Sequence, residues 1–224
     1  MHGGAHSVPP DQTKTHANGE DSRSGTGRVI VIGASTGGVE ALHTLLSEFP
    51  SDCPPTFVVQ HMRPGFVESF VSGLNRACAA EVVLAQDRQL ARPGRIHVAP
   101  AGDLHLALFA QTALALRLID APLVQGHRPA VDQLFLSAAL LRPAPVAALL
   151  TGMGRDGAEG LLQIRRAGGH TIAQDEASSV VYGMPRAARE LGAAAQILPL
   201  RLIAAALLRA ADPTSQDFNR RRTD

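Results

Sequence analysis

Residues 28–38 read RVIVIGASTGG, and this stretch decides the fold of the chain. Its first half is a continuous apolar run rich in valine and isoleucine, which is typical of a strand buried on both faces of a parallel sheet. The run ends in glycine and serine, which favour a tight turn, and apolar residues at helical spacing follow directly. The stretch therefore predicts a strand that turns sharply into a helix.

The same alternation of short apolar runs and helical patterns continues along the chain. A proline break precedes the β-branched strand at residues 54–62, PPTFVVQHM, and further strands are predicted in EVVLA, PVAALLTGMG, HTIAQD and AQILPL. The AGD turn at residues 101–103 suggests a hairpin between RIHVAP and LHLALF. We therefore predict an α/β fold: a mainly parallel, doubly wound, Rossmann-like sheet with helices on both faces, plus a small antiparallel hairpin.

The 224 residues are predicted to form one folded domain between two polar tails. Residues 1–27 are rich in Gly, Ser, Pro, Asp and Asn and contain almost no apolar side chain. Such a segment cannot bury enough surface to offset the entropy cost of ordering, and the polar residues 213–224 are similar. We expect a disordered tail or linker over 1–27, a catalytic domain over 28–212 and a disordered C-terminal tail over 213–224.

Charge and cysteine content argue against several classes of function. A formal net charge of +1 leaves no electrostatic footprint for nucleic acid. The two cysteines, Cys53 and Cys78, form neither a disulfide framework nor a metal-ligand spacing. No stretch approaches the roughly 20 apolar residues that span a bilayer, and the N-terminus lacks the apolar centre of a signal peptide. We expect a cytoplasmic protein without metal, cofactor, nucleic-acid partner or membrane insertion.

Three polar side chains, Ser35, His61 and Asp156, each follow a predicted strand. The carboxyl ends of parallel strands share one edge of the sheet, where such folds place their chemistry. A serine hydroxyl becomes a nucleophile when an imidazole takes its proton, and a carboxylate then fixes and stabilises that imidazole. Taken singly, His61 is better explained as an ordinary histidine and Asp156 as a helix N-cap. Together, the three predict a serine esterase that needs no metal ion.

The glycine-rich turn itself has two interpretations. Residues 33–37, GASTG, match G-x-S-x-G, which exposes a serine between a strand and a helix, but such turns also bind phosphate or dinucleotides. Ser35 occupies a position where the dinucleotide fingerprint needs glycine, and Gln60 and His61 stand where a ribose-binding acid is expected. The chain order Ser, His, Asp also differs from that of the α/β-hydrolases. These details favour a nucleophile on a different fold.

Six segments resemble, in order, the catalytic domain of the bacterial chemotaxis protein-glutamate methylesterases, the CheB family. The segments are VIGASTGG, VVQHM, IHVAPAGDLHL, HRPAVDQLF, LLTGMGRDGAEGL and QDEASSVVYGMP, and the resemblance extends from Val29 to about Pro185. Six motifs in one order are far more specific than G-x-S-x-G alone. The resemblance implies hydrolysis of glutamyl methyl esters on the cytoplasmic helices of methyl-accepting chemotaxis receptors, giving receptor adaptation. In some members it also implies deamidation of receptor glutamines.

The same resemblance implies a role for each residue of the site. Ser35 is the nucleophile, His61 is the general base and then the general acid, and Asp156 is the carboxylate that orients the imidazole. Thr36 and Met153 align with positions near the site, and their backbone N–H groups are the suggested oxyanion donors.

Arg128, in the HRPAVD segment, has two interpretations at this level. It is a candidate for binding the acidic receptor surface, and it is equally well explained as a structural arginine that satisfies loop carbonyls.

The control of activity and two alternative functions stay open. Family members that answer to a chemotaxis kinase usually carry a phospho-receiver domain before the catalytic one, whereas here a short polar tail precedes Val29. The chain is thus a domain regulated elsewhere, a stand-alone relative or a truncated piece. The alternatives to a receptor methylesterase are a non-catalytic module that binds a receptor or nucleotide, and an esterase for another substrate.

Overall fold

The computed structural model describes residues 27–212, so the two predicted tails lie outside the described residues except for Gly27. Strands and helices alternate throughout this range. The strands are β1 (Ile30–Ala34), β2 (Thr56–Gln60), β3 (Glu81–Leu84), β4 (Arg95–Val98), β5 (His105–Ala110), β6 (Leu114–Ile119), β7 (Val146–Leu149), β8 (His170–Gln174) and β9 (Gln196–Leu198). The helices are α1 (Gly38–Leu46), α2 (Val67–Ala77), α3 (Val131–Ala138), α4 (Ala158–Arg166), α5 (Met184–Glu190) and α6 (Leu200–Ala211).

Seven strands form one sheet in the order β3-β4-β2-β1-β7-β8-β9, and every neighbouring pair runs parallel. This confirms the predicted parallel sheet. The chain leaves β1 toward β2 on one side, and β7 pairs with β1 on the other side. The carboxyl end of β1 is therefore a point where strand order reverses, which is where open α/β sheets bind their ligands.

An antiparallel hairpin is present, but the predicted position of its turn is wrong. The hairpin pairs β5 with β6, so that His105 lies opposite Ile119 and Ala110 opposite Leu114. β4, which we expected to pair with β5 across residues 101–103, instead lies between β2 and β3 in the main sheet. The reason is burial on both faces: three successive residues of β4, 96–98, are all buried, which suits a sheet interior.

Helices cover both faces of the sheet, as predicted. Because successive side chains of a strand point to opposite faces, Ile30 and Ile32 of β1 enter one core and Val31 enters the other. The first core is completed by α1, α2 and α6, and the second by α3, α4, α5 and the hairpin. None of the helices in the described range is long and apolar enough to cross a bilayer.

His97 on β4 is a fully buried histidine outside the predicted site. Its ring stacks on that of Phe57, with centroids 5.4 Å apart, and neither ring nitrogen has a hydrogen-bond partner among the described residues. Burial, with a contribution from the charge of Arg95, lowers the pKa of His97 to about 4 from its ordinary value of 6.5. The folded protein therefore keeps His97 neutral under conditions in which the unfolded chain protonates it.

We expect His97→Leu to reduce the acid sensitivity of the fold. Between about pH 6.5 and 4, His97 binds a proton in the unfolded chain but not in the folded protein. As the pH drops through this range, the contribution of His97 to the free energy of unfolding therefore falls by about 3 kcal/mol. Asp132 acts in the opposite direction because burial raises its pKa to about 6, so a comparison of variants is needed to isolate His97. Urea unfolding near neutral pH and near pH 4.5 measures the difference. An equal loss of stability in both proteins would contradict the prediction.

Candidate active site

Ser35 is the first residue after β1, and its backbone is fixed at the carboxyl edge of the sheet. Its amide donates to the Thr151 carbonyl at 3.0 Å, and its own carbonyl accepts a hydrogen bond from Gln60 Nε2 at 2.9 Å. Gly37, two residues later, has a φ of +80°, which glycine adopts without strain. The chain can therefore turn directly into α1 and leave Ser35 partly exposed, as the sequence predicts.

His61 lies beside Ser35 because β1 and β2 are neighbours in register. Ala34 is paired with Gln60, so the next residue of each strand leaves the sheet at the same level. The His61 amide donates to the Ala34 carbonyl at 3.0 Å, and Gln60 Nε2 donates to the His61 carbonyl at 2.9 Å as well as to that of Ser35. One buried glutamine side chain thus holds the backbones of both residues.

The imidazole of His61 is hydrogen-bonded to Asp156 through Nε2, which lies 2.8 Å from Oδ2. Both side chains are largely withdrawn from solvent, with exposed fractions of 9% and 1%. Nδ1 is buried and has no hydrogen-bond partner within residues 27–212. A carboxylate can only accept, so the neutral ring carries its proton on Nε2 and leaves the Nδ1 lone pair as the free base.

Asp156 is held by the amino end of α3. The amides of Val131 and Asp132 donate to its two carboxylate oxygens at 2.7 and 2.9 Å, and Ala130, the N-cap of α3, has no side chain that could do so. Asp156 therefore caps α3, not its own helix α4. Burial alone would raise the pKa of Asp156, but the hydrogen bonds from His61 and the two amides outweigh it and hold the pKa below its ordinary value. The carboxylate stays ionised where the helix dipole also favours negative charge.

The amides of Thr36 and Met153 flank Ser35, and neither donates a hydrogen bond to an acceptor in the described range. Thr36 is the next residue along the chain, and Met153 follows Gly152, which packs on the Ser35 side chain. The hydroxyl of Thr151 joins the two segments, since it donates to the Thr36 carbonyl at 2.9 Å and accepts from the Val181 amide at 3.0 Å. Two unoccupied donors beside the serine support the predicted oxyanion role, which stays a prediction.

Gly152 leaves no room for a side chain. A Cβ at this position would lie 2.7 Å from the Cβ of Ser35 and would also collide with the sulfur of Met184. We expect Gly152→Ala to displace Ser35 and to lower kcat by about 10- to 100-fold, since small misplacements of reacting groups are costly.

Gly73→Ala on α2 is the matched control for this variant, because a Cβ there meets no atom within 4 Å. It should keep full esterase activity and raise the free energy of unfolding by up to about 1 kcal/mol. Steady-state kinetics and thermal unfolding of both variants test the prediction, and unchanged activity in Gly152→Ala would contradict it.

Arg128 is bound by its own loop and by the loop that contains Asp103. Its guanidinium donates to the Ala121 carbonyl at 3.0 Å and to the carboxylates of Asp120 and Asp103 at 3.3 Å. These contacts favour the structural interpretation of Arg128, and its contribution to receptor binding stays a prediction.

Two residues of the site were not predicted from the sequence, Gln60 and His127. In the sequence, Gln60 argues only against a dinucleotide site, because it stands where a ribose-binding acid is expected. His127 precedes Arg128 in the HRPAVD segment, and its ring stacks on that of His61 with centroids 3.8 Å apart. The sequence did contain a signal for His127, because this histidine lies in the HRPAVD segment, which is one of the six motifs. Over residues 27–212 no group of three or more His, Cys, Asp or Glu side chains is placed to hold a metal ion.

Comparison with known proteins finds relatives in sequence and in fold. The family model described as CheB methylesterase matches residues 30–207. The protein-glutamate methylesterase/protein-glutamine glutaminase of Agrobacterium fabrum is 51% identical over 183 residues, which cover 81% of this chain and 52% of the relative. A Pseudomonas aeruginosa protein of the same name, number 2, is 51% identical over 188 residues, covering 83% of this chain and 54% of its own length. The chain thus spans about half the length of the curated relatives it matches.

A solved structure shares the fold as well as the sequence pattern. The crystal structure of the Thermotoga maritima CheB methylesterase catalytic domain superposes with a TM-score of 0.79 at 37% identity. The match covers 81% of this chain and 97% of that domain. The described residues therefore correspond to a whole catalytic domain of that kind.

Proposed function

Because the chain belongs to the CheB methylesterase family, we propose that it is a serine esterase that demethylates glutamate side chains of methyl-accepting chemotaxis receptors in the cytoplasm. The observation that carries the proposal is the hydrogen bond between His61 Nε2 and Asp156 Oδ2, formed beside the serine that leaves the neighbouring strand. It leaves one imidazole nitrogen, Nδ1, free to act as a base.

The first half of the reaction makes an acyl-enzyme. Ser35 Oγ attacks the carbonyl carbon of the glutamyl methyl ester, and its proton passes to Nδ1 of His61. The imidazolium is stabilised through its Nε2–H by the ionised Asp156, and the new oxyanion accepts hydrogen bonds from the amides of Thr36 and Met153. The tetrahedral intermediate then collapses, the bond to the methoxy oxygen breaks, and His61 returns the proton so that methanol leaves.

The second half regenerates the serine. Water attacks the acyl carbon while His61 Nδ1 takes one of its protons, and the same amides hold the second oxyanion. Collapse breaks the bond to Ser35 Oγ, which recovers its proton from His61. The products are free enzyme and a glutamic acid side chain, which releases its proton to solvent and becomes the carboxylate, so the reaction needs no external oxidant or reductant.

Deamidation of glutamine is proposed as a second reaction of the same site, because the curated relatives carry both activities in their names. The steps are the same, except that His61 must protonate the leaving nitrogen so that ammonia departs. Without that proton the nitrogen would leave as the amide ion, which is a far poorer leaving group than methoxide, so we expect amide turnover to depend more strongly on His61.

A polypeptide substrate has room next to the Met153 segment, in a cavity that Ser35, His61 and Asp156 do not line. A cavity of about 600 Å³ borders the segment after Gly152 and is lined in part by Met153, Arg155, Tyr182 and Arg186. The Met153 side chain is 73% exposed at this edge. Glu190 also lines the cavity and lies 3.5 Å from Arg186, so the size of the cavity, more than its charge, supports receptor helices as substrate over a small ester alone.

Methanol release from methylated receptor cytoplasmic fragments tests the proposed function. We expect release by the wild-type protein, with the appearance of glutamate at the methylated positions by mass spectrometry. Turnover of a small methyl ester without release from the receptor fragments would favour an esterase for another substrate. Binding of receptor fragments without any turnover would favour a non-catalytic module.

A further inference from the structure

We propose that His127 is a positioning residue of the esterase site, whose ring sets the plane of the His61 imidazole and so aims the base at the serine. The inference rests on the proposed function for its reaction, but its physical content is a contact between two side chains. The rings of His61 and His127 have centroids 3.8 Å apart and an interplanar angle of 10°, so they are stacked nearly parallel.

The hydrogen bond to Asp156 does not by itself fix the plane of the His61 ring. The ring rotates about its Cβ–Cγ bond, and in a five-membered ring Nε2 lies closer to that axis than Nδ1 does. A bond at Nε2 therefore tolerates a rotation that moves Nδ1 considerably. A flat partner stacked on the ring face opposes this rotation, because tilting the ring would drive its edge into that partner.

His127 is well anchored for such a role. It closes a tight turn in which the amides of Val124 and His127 donate to each other's carbonyls at 3.1 and 2.9 Å. Gln125, inside the turn, donates from Nε2 to Asp132 at 2.7 Å, and Asp132 is one of the two residues whose amides hold Asp156. The stacking ring and the orienting carboxylate are therefore fixed to the same end of α3.

The charge state of His127 also suits the reaction. Burial and, to a smaller extent, the neighbouring His61 lower the pKa of His127. Asp156 raises this pKa, but by less than the other two lower it. A neutral aromatic face attracts a cation placed over it. The stacked ring thus stabilises the His61 imidazolium that forms when Ser35 gives up its proton, as well as holding the neutral ring beforehand.

The test compares three replacements of His127 with wild type. We expect His127→Ala to lower kcat for a small methyl ester by about 10- to 100-fold with KM little changed, since the loss lies in alignment. His127→Phe, which keeps a flat aromatic ring, should recover most of the rate. His127→Leu, which fills similar space without a flat face, should not. His43→Ala, an exposed histidine on α1, is the control and should leave the kinetics unchanged.

A second measurement separates this inference from the proposed function. A fluorophosphonate probe reacts by attack of Ser35 Oγ on phosphorus with loss of fluoride, and the serine proton passes to His61, so its rate requires the aligned base but no methyl-ester turnover. The labelling rate should follow the same order among the variants. If wild type is labelled and shows that order without hydrolysing methyl esters, the His127 inference stands and the proposed function fails. The inference is overturned if wild type is not labelled, if His127→Ala matches wild type, if His127→Leu recovers activity as well as His127→Phe, or if only KM changes.

Discussion

Ser35→Ala is expected to lower the rate of methanol release by a factor of at least about 10⁴ while the protein stays folded. The hydroxyl oxygen of Ser35 is the atom that forms the acyl-enzyme, and an alanine side chain has no atom that can attack the ester. The hydrogen bond from His61 to Asp156 does not involve Ser35, so the rest of the site should be preserved. Single-turnover measurements of methanol release, with circular dichroism as a test of folding, give the comparison.

Ser47→Ala provides the matched control for the nucleophile variant. Ser47 is exposed at the end of α1, where its hydroxyl donates to the Thr44 carbonyl at 3.1 Å. It should retain wild-type kinetics. If Ser35→Ala kept more than a few per cent of the wild-type rate, the assignment of Ser35 as nucleophile would be wrong.

Asp156→Asn is expected to have the second-largest effect, a fall in kcat of about 10⁴ for an intact fold. An amide has one acceptor oxygen, whereas the carboxylate accepts from His61 Nε2 and from two amides of α3. If the oxygen keeps the hydrogen bond from the Asp132 amide, the NH₂ group faces both His61 and the Val131 amide, and it favours the His61 tautomer protonated on Nδ1, which cannot take the serine proton. If the amide flips, the NH₂ group faces the Asp132 amide instead.

The same variant should also lose stability. One charge-assisted hydrogen bond at the amino end of α3 is lost, which costs about 1–3 kcal/mol. Glu159→Gln removes one negative charge from the exposed side of the neighbouring helix α4, and it should change neither kcat nor the free energy of unfolding appreciably. Equal kinetics for Asp156→Asn and wild type would remove Asp156 from the triad.

Much of the fold could be predicted because its signals are local. The apolar run of β1, the glycines after it and the helical spacing of α1 are all contained within residues 28–49, and the same holds for each later strand and helix. The position of the hairpin could not be read this way. β4 pairs with β2 and β3, whereas β5 pairs with β6. Local spacing does not show which strands pair, because a turn inside a hairpin and a connection between two sheets have similar sequences.

The candidate site also has features that local sequence predicts and features that it does not. That strands end in Ser35, His61 and Asp156 can be predicted from the sequence, because a polar residue after a buried strand is visible in the local pattern and parallel strands share their carboxyl edge. Three contacts depend on the folded chain: Asp156 meets Nε2 of His61, the amino end of α3 holds Asp156, and His127 stacks on the base. These contacts join segments 25 to 95 residues apart in the chain. They depend on how helices and loops pack over the sheet edge, and the free energy of that packing is shared among many residues and leaves no local pattern in the sequence.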